Sequence, residues 1–188
     1  MRMRSLPLFT AICVLCLVTQ AGCTDDEQNP FKKAAIGDWG TYKSTTDVGT
    51  FKFEVTAKST VIAKNDKEVT VKSVTTINGK ESPGSETKYD FTKPLDFVKA
   101  ANLQMKDLTE LKKVDDGKET ITIGVTKYAC KWQSFKMIFK LPALKDAPEG
   151  QLKVWICPDA PLGGLVKMEG STKGSKTTIV LEDSGKSK

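Results

Sequence analysis

Alternation of apolar and polar residues with a period of two limits the fold of this chain more than any other feature. In the stretch 51–57, Phe51, Phe53 and Val55 alternate with Lys52 and Glu54. Successive side chains of a β-strand point to opposite faces of a sheet, so the pattern predicts a strand with one buried and one wet face. The same alternation returns at 69–71, 121–125, 152–156 and 179–181. The sequence therefore predicts nine or ten strands.

Turn signals separate these stretches and make neighbouring strands antiparallel. Asn78-Gly79 is a strong signal for a two-residue hairpin. Further turns are predicted at 65–66, 115–117 and 171–174, and Pro83-Gly84 gives another break. Strands joined by connections this short pair antiparallel.

One predicted strand changes phase along its length. Tyr128, Cys130 and Trp132 share one parity, whereas Phe135 and Met137 take the other. A bulge or bend near 133–134 would reconcile the two halves, and a long bent strand suits a curved sheet. The run 152–157 is apolar on both parities, so we expect both of its faces to be buried.

A single stretch has helical character. Thr92 is a candidate cap for a short helix opened by Lys93-Pro94 and running to about Leu103. The predicted fold is all-β: a single curved antiparallel sheet, either an open half-barrel or barrel-like, with one short helix.

The N-terminal segment has the layout of an export signal. Arg2 and Arg4 precede an apolar run at 6–19, and Ala21-Gly22-Cys23 resembles the end of a bacterial lipobox. Gln20 departs from that pattern, which usually has an aliphatic residue there, and cleavage after Ala21 would give an ordinary secreted protein. The predicted organisation is a signal peptide at 1–22, a lipidated Cys23 with a polar tether at 23–35, a β domain at 36–183 and a flexible tail at 184–188. We expect a protein of the cell envelope, anchored to a membrane by lipid and facing the periplasm or the cell surface.

Composition excludes several classes of function. The chain has no His, which removes Ser-His, Cys-His and His-metal chemistry. Arg2 and Arg4 are its only arginines, so bidentate reading of guanine or phosphate is not expected in the mature protein. We therefore expect that the protein is not an enzyme and that it binds no metal, no cofactor and no nucleic acid. Ser85 and Lys88 have the Ser-x-x-Lys spacing of some hydrolases, but they enter a strand-like stretch rather than a helix.

Two of the five cysteines belong to the β domain. Cys13 and Cys16 lie in the signal peptide and Cys23 is the lipidation site, which leaves Cys130 and Cys157. In an oxidising compartment the two are predicted to form a disulfide across 26 intervening residues (131–156), worth about 3 kcal/mol on the loop-entropy model. Two separate buried thiols are the alternative.

The most distinctive block of the sequence lies at 154–169. It resembles a C-terminal block, approximately W-x-S-x-x-V-P-x-G-G-x-V-K, of a family of exported bacterial proteins and lipoproteins abundant in planctomycete-type bacteria. The matching residues are Trp155, Pro161, Gly163, Gly164, Val166 and Lys167. Cys157 stands where Ser is usual and Ala160 where Val is usual. The resemblance implies an all-β exported domain, with no activity attached.

Three functional interpretations follow from the sequence. In the first, a non-enzymatic envelope lipoprotein binds an apolar or amphipathic, lipid-like ligand on a curved sheet. The side chains that would line its pocket are Phe51, Phe53, Trp132, Phe135, Met137 and Trp155. In the second, these residues fill a core, and the protein is a structural module or binds another envelope protein. A hydrolase using carboxylates or a Ser-Lys pair is the third and weakest hypothesis.

Overall fold

The computed structural model describes residues 29–93, 108–139 and 149–186. A 3₁₀ helix at Pro30–Lys33 precedes ten strands: β1 (Trp39–Val48), β2 (Phe51–Lys64), β3 (Glu68–Ile77), β4 (Lys80–Glu81), β5 (Ser85–Asp90), β6 (Leu108–Ile123), β7 (Thr126–Phe139), β8 (Glu149–Ile156), β9 (Leu165–Thr172) and β10 (Ser175–Gly185). The part of the predicted helix from residue 94 onward lies outside the described residues.

All ten strands belong to one antiparallel sheet. Its order is β4-β3-β2-β1-β10-β9-β8-β7-β6, and β5 pairs with the free half of β3. The sheet is curved and does not close, which confirms the predicted all-β half-barrel. Its curvature lets the Tyr42 hydroxyl in β1 donate to the Leu165 carbonyl in β9, two strands away, at 3.2 Å.

The hairpin turns follow the predicted signals at three of four positions. Asn78 and Gly79 both have positive φ, at 50° and 76°, as a type I′ turn requires. Between β2 and β3, the Asn65 side chain accepts backbone N–H bonds from Lys67 and Glu68 at 2.8 and 2.9 Å. The turn at 173–174 joins β9 to β10.

The turn predicted at 115–117 was wrong. These residues lie inside β6, and the hairpin to β7 turns at Gly124-Val125. Gly117 has a packing role instead, because a Cβ there would lie 2.7 Å from Cζ2 of Trp132. The bulge predicted at 133–134 in β7 belongs to its partner strand: β7 pairs with β8 without a shift, whereas β6 carries one extra residue at Val114.

The buried side chains form three clusters on both faces of the sheet. Phe135 stands opposite Leu152, whereas Trp132 stands opposite Trp155 on the other face. Near the end of β8, Val154 on one face and Trp155 on the other are both buried, as predicted for 152–157, whereas Gln151 is exposed. Tyr42 packs against all three clusters and joins them.

Both ends of the domain extend further than the sequence predicted. Phe31, placed in the tether, is 3% exposed and packs in a core cluster. At the other end, β10 continues to Gly185 and so includes two residues assigned to the tail. Within the described ranges, no helix is long and apolar enough to cross a membrane.

Candidate functional site

The concave face of the sheet holds a groove of about 340 Å³. Strands β1, β2, β3, β5 and β10 form its floor and walls, and the 3₁₀ helix and the β8–β9 connection close one end. Its lining residues are Phe31, Tyr42, Ser44, Val55, Ala57, Ser59, Val71, Ser73, Thr75, Thr87, Tyr89, Leu162, Gly163, Leu165, Thr177 and Ile179. The volume lies at the lower end of the usual range for small-molecule sites.

Among the residues that the structure describes, no charged side chain lines this groove. The chain as a whole is 28% charged, so this is a marked local departure. Alternation explains it: the strand positions that face the groove, such as Val55 and Ala57, are interleaved with Glu54, Thr56 and Lys58 on the opposite face. The groove can therefore hold apolar or neutral polar groups, but offers an ionic group no partner.

Hydroxyl groups supply the polar part of the lining. Ser59 and Ser73 stand opposite each other on β2 and β3, with their Oγ atoms 2.8 Å apart. Burial raises the pKa of the Tyr42 phenol well above its ordinary value, and the nearby phenols of Tyr89 and Tyr128 raise it further. Tyr42 therefore stays neutral at physiological pH, and the groove keeps its uncharged character.

The structure does not bring the six predicted pocket residues together. Phe51 and Phe53 lie on the concave face but at the open end of the β1–β2 hairpin, where they are 69% and 57% exposed. Trp132 and Trp155 lie on the opposite face from Phe135. The groove is instead lined by small and hydroxyl residues, by two tyrosines and Phe31, and by aliphatic side chains. The alternation of Tyr42, Ser44 and Thr46 in β1 could have indicated the groove-facing side of this strand. It was missed because hydroxyl residues are also common on solvent-exposed faces.

The β8–β9 connection forms one end of the groove. Its turn is held by a hydrogen bond from the Cys157 N–H to the Gly164 carbonyl at 2.8 Å. Leu162 has a φ of 55°, a left-handed conformation that is strained for a side chain other than glycine. Its side chain packs into the cluster that includes Phe31. The strain is thus offset by burial at the groove end.

Residues of the distinctive block at 154–169 hold the β8–β9 connection in place. A Cβ on Gly163 would lie 2.6 Å from Cε2 of Phe31, so glycine lets the 3₁₀ helix dock. Phe31 in turn stacks on Tyr89, with ring centroids 4.3 Å apart. At the strand ends, Trp155 pairs across β8 and β9 with Lys167, whose ammonium lies 4.7 Å from the indole centroid. The block therefore builds the groove end and its outer support.

The Trp155 side chain is anchored on the face opposite the groove. Its indole N–H donates to Oε2 of Glu119 at 2.7 Å. The Lys153 ammonium lies 3.9 Å from the Trp132 ring centroid and 4.7 Å from that of Trp155. These contacts hold the Trp132 and Trp155 rings in place on β7 and β8.

Cys130 and Cys157 are both buried free thiols in one cluster. The β7–β8 register pairs Lys131 with Ile156, so the two cysteines occupy the next opposing positions. Directly opposed side chains have Cβ atoms about 4.5–5.5 Å apart, close to what a disulfide needs. Burial raises the pKa of the Cys130 thiol to about 11, and Cys157 adds to the shift. The bridge is not formed in this structure and stays a prediction.

We expect the protein recovered from an oxidising compartment to gain about two mass units on reduction, as one disulfide reduced to two thiols requires. Formation needs a disulfide-class oxidant that accepts two electrons while both thiols lose their protons. Intact mass spectrometry with alkylation under denaturing conditions measures this, and Cys157→Ser is the control that cannot bridge. Alkylation of both cysteines without prior reduction would contradict the prediction.

The other candidate chemistry does not assemble. Ser85 and Lys88 are three residues apart in β5, so they point to opposite faces, and the Lys88 ammonium is 2.9 Å from Glu68. Within the described ranges, no three His, Cys, Asp or Glu side chains come close enough to hold a metal ion.

Solved structures share this fold, although no protein-family model matches the chain and no curated protein matches it in sequence. A candidate lipoprotein from Parabacteroides distasonis superimposes with a TM-score of 0.54 at 14% identity, over 80% of this chain and 96% of that one. A candidate exported protein with a YmcC-like fold from Bacteroides fragilis gives the same TM-score and identity, over 81% and 97%. At this identity the likeness shows the fold alone.

Proposed function

We propose that this chain is a non-enzymatic lipoprotein of the bacterial cell envelope, and that its curved sheet binds an apolar or amphipathic ligand in the uncharged groove. One observation carries the proposal: a groove of about 340 Å³ whose lining, within the described ranges, holds no charged side chain. Aliphatic and aromatic walls favour an acyl chain or similar group. The row of hydroxyls suits a neutral polar end, such as an ester or an alcohol.

The position of Asn29, the first residue that the structure describes, supports the idea that the ligand is taken from a membrane. If Cys23 carries the lipid anchor, six residue steps separate it from Asn29, a reach of about 20 Å at most. Asn29 donates to the Lys93 carbonyl and caps the 3₁₀ helix whose Phe31 closes the groove. The groove end built by Phe31 would then lie on the membrane side of the domain.

Analysis of co-purifying lipid tests the proposed function directly. The full chain, produced in bacteria with its N-terminal segment, is purified and extracted with organic solvent, and the extract is compared by mass spectrometry with a mock purification. We expect one class of neutral or amphipathic lipid at close to one molecule per chain. An extract identical to the mock, from a folded protein, would contradict the proposal.

A variant that fills the groove should lose the ligand. Ala57 lies on the groove floor, so Ala57→Trp places a large ring where the acyl chain would bind. We expect co-purifying lipid to fall about tenfold or more, since the ring occupies much of the available volume. The matched control is Ala63→Trp at an exposed position of the same strand, beside the β2 bulge. Equal lipid in both variants would place the ligand elsewhere.

A protein-interaction module without a bound ligand is the second candidate function. It is favoured by the exposed apolar side chains of Val48, Phe51 and Phe53 at the β1–β2 hairpin, since patches of this kind often mark contact sites. Loss of a specific envelope partner on Phe51→Ser, in a protein that carries no lipid, would support this alternative.

A further inference from the structure

The face of the sheet opposite the uncharged groove carries a row of basic and hydrogen-bonding side chains. Strand register places seven residues from seven adjacent strands opposite one another, and we refer to this row as the basic ladder: Lys112, Lys136, Gln151, Ser171, Lys176, Asp47 and Lys52. Directly opposed residues of antiparallel strands point to the same face. The ladder therefore runs across the strands with four lysines and one aspartate.

A shallow groove of about 890 Å³ lies over the middle of the ladder. Its lining includes Lys136, Gln151, Ser171 and Lys176 from the ladder, together with Lys153 from the next row. Two acidic residues also line it: Glu149, which pairs with Lys136, and Glu169, which pairs with Lys167. At the usual spacing of about 4.8 Å between strands, seven strands give the ladder a length of about 29 Å. The ladder is long and carries charged side chains, unlike the uncharged groove on the other face.

The ladder's lysines are available to an incoming anion. Lys176 makes no ion pair with any residue that the structure describes. Lys136 pairs with Glu149 at 2.7 Å and Lys52 pairs with Glu54 at 3.1 Å. All four side chains are largely exposed, and such surface pairs contribute little free energy. The neighbouring Lys153 ammonium rests against the two indole rings. Lys153 also stands opposite Glu169, whose pKa is lowered chiefly by Lys167 and further by Lys176 and Lys153.

We infer that the basic ladder binds a linear acidic polysaccharide lying across the strands. Lysine ammoniums would meet its carboxylates, while Gln151 and Ser171 would hydrogen-bond its hydroxyls. A flat lipid surface would not follow the floor of a groove. A single-stranded nucleic acid would need open aromatic faces, whereas Trp155 is buried and Trp132 is covered by Lys153 and Gly117. A peptide strand would pair at a sheet edge, and the ladder crosses the middle of the sheet.

Calorimetric titration of the full chain with polygalacturonate, a linear polyuronate, tests the inference. We expect binding that weakens with added salt, and no binding of neutral dextran. Lys136→Gln with Lys176→Gln should weaken the affinity by about tenfold or more, because two central ammoniums are lost. The matched control, Lys33→Gln with Lys118→Gln, loses the same charge at exposed positions outside the ladder and should stay within about twofold.

Further measurements distinguish binding at the ladder from a non-specific effect of charge and from loss of folding. The double variant Lys136→Arg with Lys176→Arg keeps both charges and should retain binding, and thermal unfolding measures whether each variant is folded. Absence of polyuronate binding, or an equal loss in the ladder and control pairs, would overturn the inference. Tighter binding of single-stranded DNA or of phosphatidylglycerol vesicles than of polyuronate would overturn the assignment to a polysaccharide.

Discussion

Replacing Gly164 by alanine is expected to lower the free energy of unfolding by roughly 3 kcal/mol, because backbone strain and overpacking both act at this position. Gly164 has a φ of 74°, where a Cβ is unfavourable. That Cβ would also lie 2.7 Å from the Cys157 carbonyl oxygen, which is fixed backbone. The same carbonyl accepts the Ala160 N–H, so it cannot move without breaking the turn. Denaturant unfolding of the two proteins measures the difference.

Gly174→Ala is the matched control for this effect. Gly174 also has a positive φ, at 86°, but a Cβ there would meet no atom within 4 Å. We therefore expect only the conformational cost, about 1 kcal/mol. The difference between the two variants isolates the clash with Cys157. Equal destabilisation would mean that the β8–β9 connection relaxes freely, and the account of the motif glycines given above would then be wrong.

The sequence predicted the strands better than it predicted the surfaces they form. Phe51, Phe53 and Val55 do share one face, and the turn at Asn78-Gly79 lies where its two residues require it. These features depend on period and local backbone preference, which a few neighbouring residues determine. The curvature, strand order and clusters depend on contacts between residues far apart in the chain, which alternation does not encode.

Two errors show where local reasoning failed. The Asp-Asp-Gly run at 115–117 has turn composition, yet Gly117 is there because the Trp132 ring occupies the space of a side chain. The groove was missed because its strand positions are filled by Ser and Thr as often as by apolar residues. Hydroxyl side chains on a concave surface look the same in the sequence as hydroxyl side chains in water. Only the register of five strands shows that they face one another.

Packing contacts account for the residue pattern of the block at 154–169. Gly163 admits the Phe31 ring, Gly164 turns the chain, and Lys167 lies over the Trp155 indole. None of these contacts positions a nucleophile or a base. The pattern is therefore accounted for by the need to close the groove and to fix the N-terminal 3₁₀ helix on it. In this structure the block forms the groove end.

Tyr42 is the residue whose loss should most affect the core, since it packs against all three clusters. Truncation in Tyr42→Ala is expected to cost about 3 kcal/mol, at the lower end of the range for buried aromatic residues, because Tyr42 is only partly buried. The hydroxyl contributes a smaller part through its bond to the Leu165 carbonyl, so Tyr42→Phe should cost about 1 kcal/mol. Chemical denaturation of both variants separates the ring from the hydroxyl. A loss below about 2 kcal/mol for Tyr42→Ala would mean that the three clusters are stable independently.

The stability of the protein at alkaline pH is a second test of the same side chain. Burial raises the pKa of Tyr42 in the folded protein above the value of 10.0 expected for the unfolded chain. Above pH 10 the unfolded state therefore releases this proton first, which favours unfolding, whereas below pH 10 both states keep it. Stability should fall as the pH rises beyond 10, and less steeply in Tyr42→Phe than in the parent protein. Parallel curves for the two proteins would mean that the phenol at position 42 titrates normally, and that the uncharged groove does not depend on its burial.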